Sequence, residues 1–118
     1  MGRSVRKASD LLPLTPAVFH ILLTLAERER HGYSIMQEVE KRSQSRLTLG
    51  PGTLYTAIKR LLADGLIEES AERPDPELDD ERRRYYRLTA FGRRVATEEA
   101  QRLESLVSEA RSRKLLPA

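Results

Sequence analysis

Lys59 and Arg60 follow the stretch Gly50-Pro51-Gly52 at a distance of about two helical turns. Cations behind a glycine-rich break suit phosphate, because glycine lets backbone N–H groups come close to an anion. A nucleotide-binding loop is not the reason: it needs G-x-x-x-x-G-K-[ST] after a strand, and that pattern is absent. Asp75, Glu77 and Asp79 alternate as calcium ligands do, yet Asp80 stands where the turn glycine belongs and no suitably spaced Glu completes the loop. His20 and His31 are isolated, with no third ligand at a metal-binding spacing, so no metal site is expected. With no Cys in the chain, thiolate catalysis and cysteine zinc sites are excluded. No nucleophile, base and orienting group can be assembled by spacing, so neither an enzyme nor a cofactor is expected. The target that such cations suggest is a large polyanion such as duplex DNA.

The element that must present these cations is a helix over residues 51–64. Leu54, Ala57, Ile58, Leu61 and Leu62 form one apolar stripe of 3.6-residue period. The opposite face collects Gly52, Thr56, Lys59 and Ala63, flanked by Tyr55 and Arg60, with no carboxylate before Asp64. Pro51 suits the first helical position, and Gly65 suits the left-handed position that closes a helix. A helix start exposes unpaired N–H groups and the positive end of the dipole, so Gly50 to Gly52 mark a docking point for phosphate.

Two helices precede it. Thr15-Pro16 opens one that runs to about residue 29, apolar over most of its circumference. A second spans residues 33–42, with Ile35, Met36 and Val39 inward. Residues 43–50 form a polar turn in which Leu47-Thr48-Leu49 offers room for one short strand. After Gly65 the period changes to two, giving strands at Leu66-Ile67-Glu68 and at residues 84–88, joined by a charged loop. Tyr85 and Tyr86 are expected to pack this hairpin rather than to cage a ligand. Thr89 caps a last helix over residues 90–114, which at 1.5 Å per residue is about 36 Å long. Phe91 and Val95 reach the core; beyond them Ala96, Ala100, Leu103, Val107 and Ala110 recur at the spacing of a helix–helix seam. The fold class that follows is mainly α with a small β-hairpin, a winged helix-turn-helix plus a long C-terminal dimerisation helix. The organisation expected is a flexible basic arm over residues 1–13, a DNA-binding domain over 14–89 and a dimerisation helix with tail over 90–118.

Composition sets the outer bounds. With 118 residues, 39% hydrophobic and 33% charged, the chain suits one small domain with exposed helices. No apolar run reaches the roughly 18 residues that span a bilayer, and residues 1–10 lack the apolar core of a signal peptide, so the cytoplasm is expected and no membrane partner. The net charge of +3 is unevenly spread. Arg3, Arg6 and Lys7, then Lys59 and Arg60, then Arg82, Arg83, Arg84, Arg93 and Arg94 are basic clusters, whereas Glu72, Asp75, Glu77, Asp79, Asp80 and Glu81 gather the acid. Segregation of this kind suggests a DNA footprint.

Taken together, His31-Gly32-Tyr33, Leu49-Gly50-Pro51-Gly52-Thr53-Leu54-Tyr55, Ala57 through Leu61, Asp64-Gly65-Leu66-Ile67 and Arg84-Tyr85-Tyr86-Arg87-Leu88-Thr89 with Gly92 resemble the PadR family of transcriptional regulators, over residues 14–95. The resemblance implies a homodimeric winged-helix repressor on a pseudo-palindromic operator, in the short form with one dimerisation helix. It implies DNA contacts from Thr53, Tyr55, Lys59 and Arg60, phosphate contacts from Tyr33, and wing contacts from Arg82, Arg83 and Arg84. It also implies a small, often aromatic effector, for which an interface of the first and last helices would supply Phe19, Leu22 and Leu23 as walls. The alternative is a winged-helix adaptor that binds proteins through its acidic loop and does not bind an operator.

Overall fold

The first helix begins where Thr15 can cap it. In the computed structural model, which describes residues 7–70 and 84–118, the Thr15 hydroxyl accepts the Val18 N–H at 3.2 Å and opens α1, Pro16–Glu27. The chain then extends through β1, Arg30–His31, and turns into α2, Gly32–Arg42. Next come α3, Pro51–Ala63, the strands β2, Ile67–Glu69, and β3, Tyr85–Leu88, and finally α4, Ala90–Ser112. β3 lies in the middle of a three-stranded antiparallel sheet, with Arg30 opposite Tyr86 on one side and Glu69 opposite Tyr86 on the other. The protein is a winged helix. Its core is made by Ile21, Leu22 and Leu25 of α1, Ile35 and Val39 of α2, Leu54, Ile58 and Leu61 of α3, Leu66 and Ile67, and Val95 of α4.

Three expectations need correction. The short strand lies before α2, not at residues 47–49. Arg30 and His31 take the open edge of β3, which also ends α1 at Glu27 rather than near residue 29. Leu49 is buried without joining a sheet, since the turn before it bends through Gln44 and Ser45 at positive φ. β2 starts one residue late, because both backbone groups of Leu66 are already bonded: its N–H to Leu61 O at 3.0 Å and its carbonyl to Thr89 N at 3.1 Å. Part of the segment expected as an arm, residues 1–13, is built into the fold. Ala8–Leu11 form a 3-10 turn packed on α4 with Ala8 buried, because Leu11, Leu12 and Leu14 give this segment an apolar side to cover. Arg3 and Arg6 lie outside the described residues.

Two buried polar arrangements orient the helices. On α4, the fully buried Glu99 accepts the Leu14 N–H at 2.8 Å and is gripped by Arg102 through Nε at 2.5 Å and Nη2 at 3.1 Å. The Arg102 hydrogen bond holds the Glu99 carboxyl below the usual carboxylate range against the opposing effect of burial, and the Leu14 N–H adds to it. On the other side, buried Arg30 donates from Nε to Thr24 O at 3.2 Å and from Nη1 to Ser34 Oγ at 3.0 Å, and pairs with Glu27. Arg42 closes this network on Glu27 at 2.6 Å and on Glu38 at 3.0 Å, so α1 and α2 are clamped where they diverge. No helix of the described residues is long and apolar enough to cross a membrane.

The end of α3 and the start of α4 meet at one junction. Gly65, at φ +75°, donates to Leu62 O at 3.1 Å, and with the Leu66 bond to Leu61 O this completes a Schellman closure. The Thr89 hydroxyl donates to Gly65 O at 2.6 Å and accepts the Gly92 N–H at 2.9 Å, capping α4 on the closing turn of α3. Gly92 is pressed against that turn: a Cβ there would sit 1.9 Å from the Leu66 carbonyl oxygen. Gly92→Ala should therefore destabilise the fold by at least about 2 kcal/mol, the scale of overpacking. Gly52→Ala, with open space around it, should be neutral or slightly stabilising. Urea unfolding of both variants checks this, and equal stabilities would contradict the packing.

Candidate nucleic-acid interface

α3 divides cleanly into two faces. Leu54, Ile58 and Leu61 are buried, whereas Gly52, Thr53, Tyr55, Thr56, Lys59 and Arg60 are all exposed. Its first turn is also open. Thr15, His31 and Thr89 each cap their helix with a side-chain acceptor, but Gly50 gives α3 none. The first backbone bond of α3 runs from Leu54 N to Gly50 O at 2.9 Å, so the N–H groups of Gly52 and Thr53 have no partner among the described residues. A helix start of this kind binds an anion through those N–H groups and the helix dipole.

The cations of the molecule are not equivalent. Arg84 reaches Glu69 at 3.3 Å, and Arg87 reaches Glu68 at 2.7 Å and Glu29 at 3.6 Å, so the base of the wing is internally compensated. By contrast, Lys59 and Arg60 have no ion pair or hydrogen bond with any described residue. The two cations on the open face of α3 are thus, among the described residues, available to an external partner, as are the equally unpaired Arg93 and Arg94 on α4. Arg84 takes part only by exchanging Glu69 for that partner. Arg82, Arg83 and the six carboxylates of the wing loop lie outside the described residues.

Two tyrosines flank the start of α2. Tyr33 is 56% exposed and Tyr55 is 50% exposed, and the Tyr55 ring lies over Gly32 so closely that a Cβ there would be 2.6 Å from its hydroxyl oxygen. Gly32 therefore holds open the space in which Tyr55 rests. Tyr85 and Tyr86 behave differently, as the wing packing expected of them. Tyr85 stands edge-on to His31 with ring centres 5.3 Å apart, and His31 Nδ1 in turn caps α2 by accepting the Ser34 N–H. Burial pushes the Tyr86 phenol above its ordinary range, with Glu69 and Tyr55 adding to the rise and Arg84 opposing it.

The expected dimerisation seam divides in the same way. Ala96 packs on the chain's own core, Leu103 and Ala110 are half-buried, and Ala100 and Val107 are exposed. Leu106, which the spacing argument passed over, is half exposed and widens the apolar strip. Of the expected effector walls, Leu22 is sealed in the chain's own core at 0% exposure and cannot line an open site. The tight fit of α1 against its own chain accounts for this, and α4 is its second neighbour. Phe19 is half-buried and Leu23 exposed, and they share one side of α1. The polar residues that sequence reasoning missed, Arg30 and Glu99, carry no periodic signal: one sits in a break between helices and the other on a charged helix.

An open, cation-bearing third helix in a winged-helix scaffold is the arrangement that regulators of the helix-turn-helix class present to nucleic acid. Residues 21–98 match the transcriptional regulator PadR-like family. The chain belongs to that family, which consists of transcriptional regulators rather than enzymes. It is similar to the transcriptional regulator Rv3488 of Mycobacterium tuberculosis, 40% identical over 90 residues that cover 76% of this chain and 78% of that protein. Among solved structures, a PadR family transcription regulator of Clostridium difficile superposes with a TM-score of 0.66 at 25% identity, covering 83% of this chain and 97% of that one. A transcriptional regulator of Clostridium thermocellum shares the fold with a TM-score of 0.67 at 22% identity, over 92% of this chain and 97% of its own.

The Gly32–Tyr55 contact yields a direct check. Gly32→Ala should leave the protein folded, since the obstructing atoms are the far end of a side chain, but should displace the Tyr55 ring. Tyr55 ring resonances compared between wild type and variant read this out, and identical signals would contradict the contact.

Proposed function

We propose that this regulator is a homodimeric repressor that binds a pseudo-palindromic duplex operator. The observation that carries the reading is the open face of α3, where uncapped N–H groups, Lys59 and Arg60 stand together without internal partners. In this reading α3 lies in the major groove. Thr53, Tyr55, Thr56 and Arg60 reach base edges or sugar, while Gly52 N–H, Tyr33 and Lys59 hold phosphate. Arg82, Arg83 and Arg84 serve the wing. The winged-helix body over residues 14–89 supplies these contacts and the segment over 90–118 supplies dimerisation, with Ala100, Leu103, Val107 and Ala110 as the seam and Leu106 beside it. Exposed apolar side chains on the free half of α4 support that assignment. A small hydrophobic effector would sit between Phe19, Leu23 and the seam of a second copy. Action on the genome places the protein in the cytoplasm.

Binding to duplex DNA should weaken steeply as salt rises, because each phosphate contact releases counterions. Lys59→Ala should weaken binding across sequences and lower the slope of log affinity against log salt by about one. Titrations of labelled duplex over a range of salt measure both. An unchanged slope would remove Lys59 from the phosphate contacts, and feeble, salt-independent binding by the wild type would favour a protein-binding adaptor instead.

A further inference from the structure

A cleft of about 540 Å³ lies between the start of α1 and the turn that follows α2, lined by Pro16 and His20 on one wall and by Ser43, Gln44 and Arg46 on the other, together with Arg42. The turn is held by its own hydrogen bonds. The Ser43 hydroxyl accepts the Leu47 N–H at 3.1 Å, and the Arg46 N–H donates to Ser43 O at 3.1 Å, so Arg46 is presented from a fixed backbone. Arg42 is already held by Glu27 and Glu38. The side chains of His20, Gln44 and Arg46, by contrast, have no hydrogen bond or ion pair with any described residue, and no carboxylate lines the cleft among those residues.

A free guanidinium, an amide and an imidazole on opposing walls offer N–H donors to one oxyanion of single charge. A phosphodiester carries one such charge, whereas a phosphate monoester carries about two. Exposure decides between a free molecule and a polymer. Pockets for small ligands bury most of the ligand's surface, but Pro16, Arg42, Gln44 and Arg46 are exposed, so the cleft suits a group projecting from a larger surface rather than an enclosed molecule. Arg46 also stands four residues before Gly50, the uncapped start of α3, and four residues span at most about 14 Å. One strand of a duplex offers a phosphate every ~3.4 Å of axis, so both points lie within a few phosphates of each other. We propose that this cleft is a second phosphate anchor, which receives one phosphodiester of the duplex on Arg46, Gln44 and His20 while the open start of α3 engages the groove. An anchor outside α3 fixes the orientation of that helix on the duplex without reading sequence. The proposal rests on the DNA-binding reading above.

The probe is a labelled duplex of mixed sequence, titrated over a range of salt with full-length wild type, Arg46→Gln and Arg46→Lys and followed by fluorescence anisotropy. Arg46 is exposed and unpartnered among the described residues, so both variants should fold. The anchor predicts that Arg46→Gln lowers the slope of log affinity against log salt by about one and that Arg46→Lys restores it. Arg46→Gln combined with Lys59→Ala should lower it by about two, since the two cations hold different phosphates. On addition of duplex, the imidazole NMR signals of His20 should shift in the wild type and shift less in Arg46→Gln. An unchanged slope in Arg46→Gln, or His20 signals indifferent to duplex, would overturn the anchor while leaving DNA binding by α3 intact. In a second arm, inorganic phosphate alone should not saturate the His20 signals at about 1 mM; saturation there would reassign the cleft to a free anion. A wild type that binds no duplex at any salt would refute the DNA-binding reading and the anchor together.

Discussion

The contact between Gly92 and the Leu66 carbonyl fixes more of this molecule than any other, because three elements change direction within it. α3 closes through Gly65 and Leu66, β2 begins immediately after them, and α4 is capped by Thr89, whose hydroxyl is bonded to Gly65 O. With no Cβ at Gly92, the first turn of α4 rests directly on this backbone. The angle between the helix that faces outward with its cations and the helix that carries the exposed apolar strip is therefore set in large part at this junction, by backbone packing, backbone hydrogen bonds and the Thr89 hydroxyl. In a dimer assembled through α4, the same junction would set the distance and tilt between two copies of α3. Spacing of half-sites on DNA is a geometric property of this kind.

The distribution of ion pairs supports the same division of labour. Arg30, Arg42, Arg84, Arg87 and Arg102 are each paired with a carboxylate, and their positions are the joints of the fold: α1 with α2, the wing strands with one another, and α4 with the segment before α1. Exposed pairs of this type add little stability, about 0 to 1 kcal/mol each. Buried Arg30 and Glu99 matter more, because removing one partner would leave a charge stranded in the core. Lys59 and Arg60 lie outside this scheme of compensation, on a helix with no carboxylate before Asp64. Exposed charge left uncompensated there costs little in water and is available to an anion.

Much of this was legible in the sequence. The stripe Leu54, Ile58, Leu61 announced the buried face of α3, the pairs Thr15-Pro16 and Gly50-Pro51 announced helix starts, and Gly65 announced a left-handed stop. Each is a local signal, with a period or a cap readable from neighbouring residues. The missing parts were non-local. Arg30–His31 reads as a polar break and becomes a strand only because β3 offers an edge; Leu47-Thr48-Leu49 has the alternation of a strand but no edge to join. Leu22 looked available because α1 is apolar nearly all round, and which side faces its own core depends on α4. Glu99 and Leu14 are far apart in sequence, so nothing in the spacing announced that a buried carboxylate ties the start of the chain to its last helix.

The central claim is that the open face of α3 reads duplex DNA in a two-fold symmetric arrangement set by α4. The most direct test is to select fragments of the source genome with the purified full-length protein at about 0.1 M salt, where non-specific contacts are partly screened, and to determine the enriched sequence. The account predicts a two-fold symmetric site with half-sites about one helical turn apart. Selection without enrichment, by a protein shown to be dimeric in the same buffer, would contradict it.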